Sequence, residues 1–403
     1  MILSEQKALE LVDKYGSPLY VYDEKILRDR CKEIKNLLPN KNFKVNYSAK
    51  ANTSLELLKI INNEGLKVDA MSPGEIYIEQ LAGFKAEDIL YICNNVSKEE
   101  MQYAIDQNIL TSVDSLAQLE MYGQINPGSK VAIRFNSGVG AGHHEKVVTG
   151  GKKTKFAVQK SLVPEVKKIL KKYDLRLAGI NQHIGSFFLR PDEYVDGAKA
   201  FLDIAKQFPG LEFLDFGGGF GIPYEAMHRL DLNQLNEMMD KTLDEFMADY
   251  DNKDVVFKIE PGRYIVAECG ALLGTVHSVK DNYGRRYVGT DIGFNVLQRP
   301  VMYDSYHHID MVKRSGKTDE TEIVYISGNI CESGDLIAKE RDLYKADVGD
   351  VVVVRDAGAY CFSMVSNYNC RLKPAEVLID MDGKDRLIRK RETLEDLTKH
   401  FDV

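Results

Sequence analysis

Several short segments carry residues that could do chemistry, and most of them close an apolar run. Lys50 lies in VNYSAKAN. An ammonium held in poor solvation has a lowered pKa, and the neutral amine can form an imine; an ordinary surface lysine is the plainer alternative. Glu260 in EPGR could keep a ring nitrogen protonated, as a pyridine needs if it is to act as an electron sink, or it could simply pair with Arg263. His183 in QHIGS ends another run, where a packed, hydrogen-bonded histidine is the commoner outcome. The stretch FGGGFG (Gly217, Gly218, Gly219, Gly221) could bring backbone N–H groups against a phosphate, with a following helix start favouring the anion. A tight turn alone would need only one or two of these glycines. Arg299 and Tyr303 in QRPVMY, Cys331 and Glu332 in CESGD, and Tyr360 in DAGAY lie beside glycines or turns, positions that carry function more often than packing. The pair His143 and His144 invites a metal, but adjacent rings do not readily share one ion and no third ligand stands out.

The elements that must position these residues repeat one theme, a strand-like run followed by a turn and a helical pattern. The runs are Phe43–Tyr47, Lys67–Ala70, Ile89–Cys93, Leu110–Val113, Val131–Phe135, Leu177–His183, Phe213–Phe216 and Val255–Glu260. Ser72, Pro73 and Glu75 predict a capping box with proline at the first helical position and Gly83 as the C-terminal cap, and Ser97 with Glu100 repeats the box. Eight such units without a hairpin signal predict a closed (β/α)8 barrel, in which reactive residues fall at the C-terminal ends of strands and a phosphate site follows strands seven and eight. Lys50, His183, the glycine stretch, Glu260, Gly262 and Arg263 all fall there.

From about residue 272 the texture changes to β-branched runs, Val276–Val279, Ile323–Ile326, Val351–Val354 and Glu376–Ile379, which predict a β-sandwich or β-barrel domain. Asp382-Gly383 predicts a type I′ hairpin turn, Ser17–Tyr22 a strand joining this domain, and Thr393–Phe401 a helix. The expected division is residues 1–30 pairing with the β domain, 31–270 as barrel and 271–403 as β domain.

Composition narrows the partners. With 403 residues, 44% hydrophobic and 28% charged, the chain is an ordinary folded one and not disordered or collagenous. A net charge of −8 disfavours nucleic acid and anionic membrane, and no apolar run approaches the roughly 18 residues of a spanning helix. A small-molecule partner is expected. Six scattered cysteines without a CxxC pair, and an N-terminus without a signal pattern, predict the reducing cytoplasm.

Taken together, YSAKAN, HIGS, GGGFG, EPGR, CESGD and DAGAY resemble the fold type III pyridoxal phosphate decarboxylases over nearly the whole chain, from SPLYVYD to LKPAEVLI. GAGHHxxVxTGG and CESGD favour the diaminopimelate branch over the ornithine branch; Ser48, and Ser137 where many relatives have proline, depart from the pattern without removing a catalytic residue. The resemblance implies that Lys50 binds the cofactor covalently, His183 stacks on its ring and Glu260 holds its nitrogen protonated. Ser186, Gly217, Gly218, Gly219, Gly221, Gly262, Arg263 and Tyr360 would complete the cofactor site. Cys331 would be the acid, reaching in from the second subunit of a homodimer. Arg299, Tyr303 and Arg263 would meet the far carboxylate of meso-diaminopimelate and Glu332 its ammonium, and Tyr360 would also contact the substrate. The products would be lysine and CO2. An ornithine- or arginine-type decarboxylase, an amino acid racemase of the same fold and a non-catalytic regulatory relative are the competing readings. An imine-forming aldolase leaves Glu260, Cys331 and the β domain unexplained.

Overall fold

A computed structural model of the chain describes residues 3–138, 151, 154–225, 228–316 and 319–402. His143 and His144 lie outside the described residues. The chain forms two compact units, one of residues 28–222 and 228–265, the other of residues 1–27, 223–227 and 266–403.

The first strand of the second unit is β1 (Leu19–Asp23), which follows the helix Glu5–Tyr15. The first unit is the barrel: β2 (Phe43–Ser48), β3 (Lys67–Ala70), β4 (Ile89–Ile92), β5 (Leu110–Val113), β6 (Lys130–Asn136), the two-residue β7 (Val158–Gln159), β8 (Arg176–Asn181), β9 (Phe213–Asp215) and β10 (Val256–Ile259). All pairings are parallel, in the order β5-β4-β3-β2-β10-β9-β8-β6, and β5 closes on β6 through Ser112↔Ala132 and Val113↔Ile133. β7 adds to β6 at the rim. Because every strand runs the same way, residues just past their C-terminal ends share one rim. Leu90, Ile92, Ala132, Ala178 and Phe213 form an apolar cluster within the barrel. Gly179 belongs to this packing, since a Cβ there would stand 2.3 Å from the Phe213 ring. Losing that ring to alanine would cost about 3–5 kcal/mol.

Local signals explain where the helices start. Ser72 Oγ accepts from the Glu75 N–H at 3.2 Å, and Pro73 opens the helix Pro73–Leu81. The expected capping box is altered by one residue, for the Glu75 carboxylate accepts from the Met71 N–H, at 2.6 Å, instead of from the cap residue. Ser97 and Glu100 form the complete reciprocal box. The expected helix start directly after the glycine stretch is absent: the next helix, Leu232–Asp249, begins eleven residues past Gly221 and is capped by Asp231, whose carboxylate accepts from Asn233 and Gln234.

The β unit continues with β11 (Gly270–Asn282), β12 (Arg285–Thr290), β13 (Ile309–Val312), β14 (Thr321–Ser327), β15 (Leu336–Tyr344), β16 (Val351–Val354), β17 (Ala375–Ile379) and β18 (Asp385–Arg389). The sheet order is β15-β14-β12-β11-β1-β17-β18, with β16 bridging β11 and β13. β1 is central, antiparallel to β11 and parallel to β17. It is buried on both faces. Leu19 and Val21 pack with Leu11 and Val12 of the helix Glu5–Tyr15, whereas Tyr22 donates to Glu376 Oε1 at 2.8 Å and Tyr20 to the Val296 carbonyl.

Two expectations are corrected here. The hairpin at Asp382-Gly383 exists, but only Gly383 takes a positive φ (78°), so it is a type I turn with a glycine bulge and not type I′. The Asp380 carboxylate selects that geometry by accepting from the N–H groups of Asp382 and Lys384. Thr393–Phe401 is not a helix beyond the single turn Glu395–Leu397. Leu394 and Phe401 stay 69% and 68% exposed, so no buried face offsets helix nucleation.

Candidate functional site

Lys50 sits in the one-turn helix Ala49–Ala51 immediately after β2, partly buried. Asp69, at the end of β3, fixes that turn: its carboxylate accepts from Ser48 Oγ at 3.1 Å and from the Ala49 N–H at 3.2 Å. Burial pushes Asp69 up to about 7, partly offset by the Lys50 charge. Lys50 also bears on Glu75, Glu260 and His183.

His183 lies two residues beyond β8. Its Nδ1 accepts from the Gly218 N–H at 3.2 Å, which leaves Nε2 as the protonated nitrogen. Burial, with Lys50 and Arg134 nearby, holds its pKa well below the usual histidine value, so the ring is neutral.

Glu260 follows β10 directly and is 5% exposed. Burial first, then Asp215 and Asp69, push it well above the usual carboxylate range, while Lys50 and Arg134 pull the other way. Lys50 and Arg134 are thus cations that bear on Glu260. Among the described residues neither Glu260 Oε1 nor Asp215 Oδ2 has a hydrogen-bond partner, and the two buried carboxyls bear on each other. Glu260 Oε1 lacks a donor, and a ring N–H would supply one.

All four glycines after β9 have a packing reason. A Cβ on Gly217 would stand 2.2 Å from the Gln182 carbonyl, one on Gly218 2.0 Å from that of Glu260, and those on Gly219 and Gly221 would strike Phe188. The stretch thus threads between the segments that follow β8 and β10. This narrows the phosphate donors. The N–H groups of Gly217, Gly218 and Gly221 already donate to Asp215, His183 and the Phe188 carbonyl. Those of Gly219 and Gly262 are the two not so engaged. Gly262 also needs its lack of a Cβ, which would meet Ala51 and Ser48 at about 3 Å. Ser186 is partly exposed just past Gly185, and Arg263 is 8% exposed with its guanidinium over the Phe187 ring at 6.0 Å. A pyridoxal group therefore has an amine, a neutral ring, an unsatisfied acid pair and free backbone donors on one rim.

The remaining expected residues belong to the β unit. Arg299 opens the five-residue helix Arg299–Tyr303 and is 2% exposed; Tyr303 closes that helix and is half-buried. Cys331 is exposed, and its N–H donates to Asn369 Oδ1 at 2.8 Å. Glu332 accepts from Tyr368 OH at 2.6 Å. Tyr360 holds a left-handed backbone, φ 56°, unusual for a bulky residue. Every described cysteine is free.

Sequence reasoning missed the charged residues inside the strands. Arg134 in β6 is 8% exposed, stacks on Phe156 at 4.7 Å and bears on Glu260, Asp114 and Asp69. Asp215 ends β9 fully buried, pushed up to about 6 by burial. The signal was a charge set within or at the end of a strand-like run, as in KVDA, VAIRFN and FLDF.

Comparison with known proteins agrees with this geometry. The family model for the pyridoxal-dependent decarboxylase pyridoxal binding domain matches residues 24–267. The diaminopimelate decarboxylase of Methanothermobacter thermautotrophicus is 40% identical, over 100% of this chain and 96% of its own. Among solved structures, diaminopimelate decarboxylase from M. jannaschii in co-complex with L-lysine has a TM-score of 0.88 and 32% identity, covering 98% of this chain and 94% of that one. The Helicobacter pylori diaminopimelate decarboxylase complexed with L-lysine scores 0.89 at 30% identity, covering 97% and 98%. Similarity of this depth over both units, together with the acid pair, the lysine and the glycine stretch on one rim, shows that the chain belongs to the diaminopimelate decarboxylase family of pyridoxal-dependent decarboxylases.

Proposed function

We propose that this chain removes one carboxyl group from meso-2,6-diaminopimelate, releasing L-lysine and CO2, with pyridoxal 5′-phosphate as cofactor. The bound cofactor supplies an electron-withdrawing ring that accepts the electron pair left by CO2. The observation that carries this reading is the buried Glu260–Asp215 pair lacking a donor, on the same rim as Lys50. Lys50 provides the amine that binds the cofactor and hands it to substrate. Neutral His183 offers a flat face, its orientation fixed by the Gly218 N–H. Glu260 keeps a proton on the ring nitrogen. Gly219 and Gly262, with the other glycines shaping the loop, and Tyr360 hold the phosphate; Ser186 and Arg263 complete the cofactor site.

Cys331 returns the proton to the reacting carbon. Its exposure on the surface of its own unit supports delivery to a second copy, and hence a homodimer with shared sites. Arg299, Tyr303 and Arg263 meet the far carboxylate of the substrate and Glu332 its far ammonium, with Tyr360 also contacting the substrate. Arg299 supports this assignment because it is buried and no carboxylate among the described residues pairs with it. A negative net charge and free cysteines support a cytoplasmic enzyme without nucleic-acid or membrane partners. No helix among the described residues is long and apolar enough to cross a membrane.

The test is to supply cofactor and meso-diaminopimelate and to follow CO2, lysine and optical rotation together. Lysine and CO2 in equal amounts support the proposal. Racemised diaminopimelate without CO2, or turnover of ornithine but not diaminopimelate, would replace it with another activity of the fold.

A further inference from the structure

Arg299 is buried beside two uncharged partners. Its guanidinium carbon lies 4.6 Å from the centre of the Tyr224 ring, and Nη1 donates to His307 Nε2 at 2.7 Å. The direction of that bond follows from the other side of the imidazole. His307 Nδ1 is 2.9 Å from the Arg355 carbonyl, which can only accept, so Nδ1 carries the proton and Nε2 offers a lone pair to Arg299. His307 is itself 2% exposed and packs edge-on against Tyr224, the rings 5.3 Å apart at 73°. The Arg355 guanidinium is committed elsewhere, with Nε and Nη2 each 2.5 Å from an oxygen of Asp310.

We propose that His307 is a positioning residue that sets specificity: it orients Arg299 through a neutral acceptor and leaves the guanidinium charge intact for the far carboxylate of the substrate. The inference rests on the role given to Arg299 above. A guanidinium has five N–H donors in a rigid fork, and one bond to His307 fixes the plane while the others stay available. A carboxylate at position 307 would hold the side chain as firmly but would form an internal ion pair, which an incoming carboxylate would have to break or share. The Tyr224 face steadies the cation without neutralising it.

The test uses the holoenzyme and two ligands that differ in one group. L-lysine keeps the carboxylate that Arg299 would hold, and cadaverine has the same chain and amines without it. His307→Phe removes the acceptor, His307→Asp adds a charge, and His307→Gln keeps a neutral acceptor. We expect the Phe and Asp variants to lose roughly 10-fold or more in lysine affinity, with cadaverine changed by no more than about twofold. KM for diaminopimelate should rise more than kcat falls, and the Gln variant should recover most of the lysine affinity. Should the Phe variant fail to fold, the comparison of Asp with Gln decides. Equal losses for both ligands, or wild-type lysine affinity in the Phe and Asp variants, would overturn the inference. Arg299→Ala separates the two layers. If it loses the preference for lysine while the His307 variants keep it, His307 alone is misassigned; if wild type has no such preference, or Arg299→Ala retains it, the role of Arg299 falls and this inference with it.

Discussion

Replacing Glu260 by glutamine should move two properties in opposite directions. In the free protein Glu260 and Asp215 are buried, and among the described residues Glu260 Oε1 and Asp215 Oδ2 lack a donor. Both carboxyls have folded pKa values raised above their unfolded ones, Asp215 to about 6 and Glu260 well above the usual carboxylate range. Their contribution to stability is fully present below the unfolded values near 4 and is lost as pH rises through the folded values. A glutamine amide carries its own N–H and can donate to Asp215 Oδ2 at any pH. Glu260→Gln should therefore leave the cofactor-free protein at least as stable as wild type, with an advantage that grows as pH rises through the folded values. With cofactor the sign reverses. The amide is a neutral partner for a ring N–H, and losing one charge-assisted bond of about 1.5–3 kcal/mol means roughly 10- to 100-fold weaker cofactor binding. Turnover should fall further, because a deprotonated ring is a poorer electron sink. Thermal unfolding of the free protein across pH, with absorbance titration of the cofactor, reads both effects. Wild-type cofactor affinity in the variant, or destabilisation of the free protein at every pH, would refute the reasoning.

Other consequences can be checked separately. Cys331→Ala should bind cofactor as wild type does but turn over slowly, with faulty protonation of the product; full activity would remove it as the acid. Ornithine, which lacks the far carboxylate, should show kcat/KM lower than diaminopimelate by about 10⁴-fold or more, because it would leave a buried guanidinium without its partner. Comparable values for the two would refute that. Asp385 accepts from Lys7, Lys14 and Tyr15, which hold its carboxyl well below the usual range and tie the helix Glu5–Tyr15 to β18. A depressed pKa contributes stability above about pH 4 that disappears as pH falls further. Asp385→Asn should accordingly cost about 1–2 kcal/mol in neutral urea unfolding and much less in acid, Lys14 being too exposed to count for much.

Residues that end apolar runs were legible because a barrel puts reactive groups at those positions: Lys50, His183 and Glu260 could each be placed from the strand that precedes it. Arg134, Asp69 and Asp215 were not, since they lie within or at the end of runs that read as plain hydrophobic strands. Their role emerges only when the closed barrel brings several such strands around one buried polar layer, where Ser112 Oγ also donates to Asn181 Oδ1 at 2.6 Å. The glycine stretch read as a phosphate loop, yet three of its N–H groups serve the protein itself, a distinction that depends on what the neighbouring strands present. His307 gave no signal, because its meaning comes from Arg299 on one side and the Arg355 carbonyl on the other. The supposed helix at Thr393–Phe401 shows the reverse failure, a suitable local pattern with no surface to bury it against.

The claim that the barrel rim around Lys50 is the cofactor site is open to one direct measurement. The protein is saturated with pyridoxal 5′-phosphate, reduced with borohydride to fix any imine, digested and mapped by mass spectrometry. One pyridoxyl phosphate on the peptide containing Lys50, with activity lost in proportion to labelling, is the expected result. A label on another lysine, or no label in protein that still decarboxylates diaminopimelate, would contradict it.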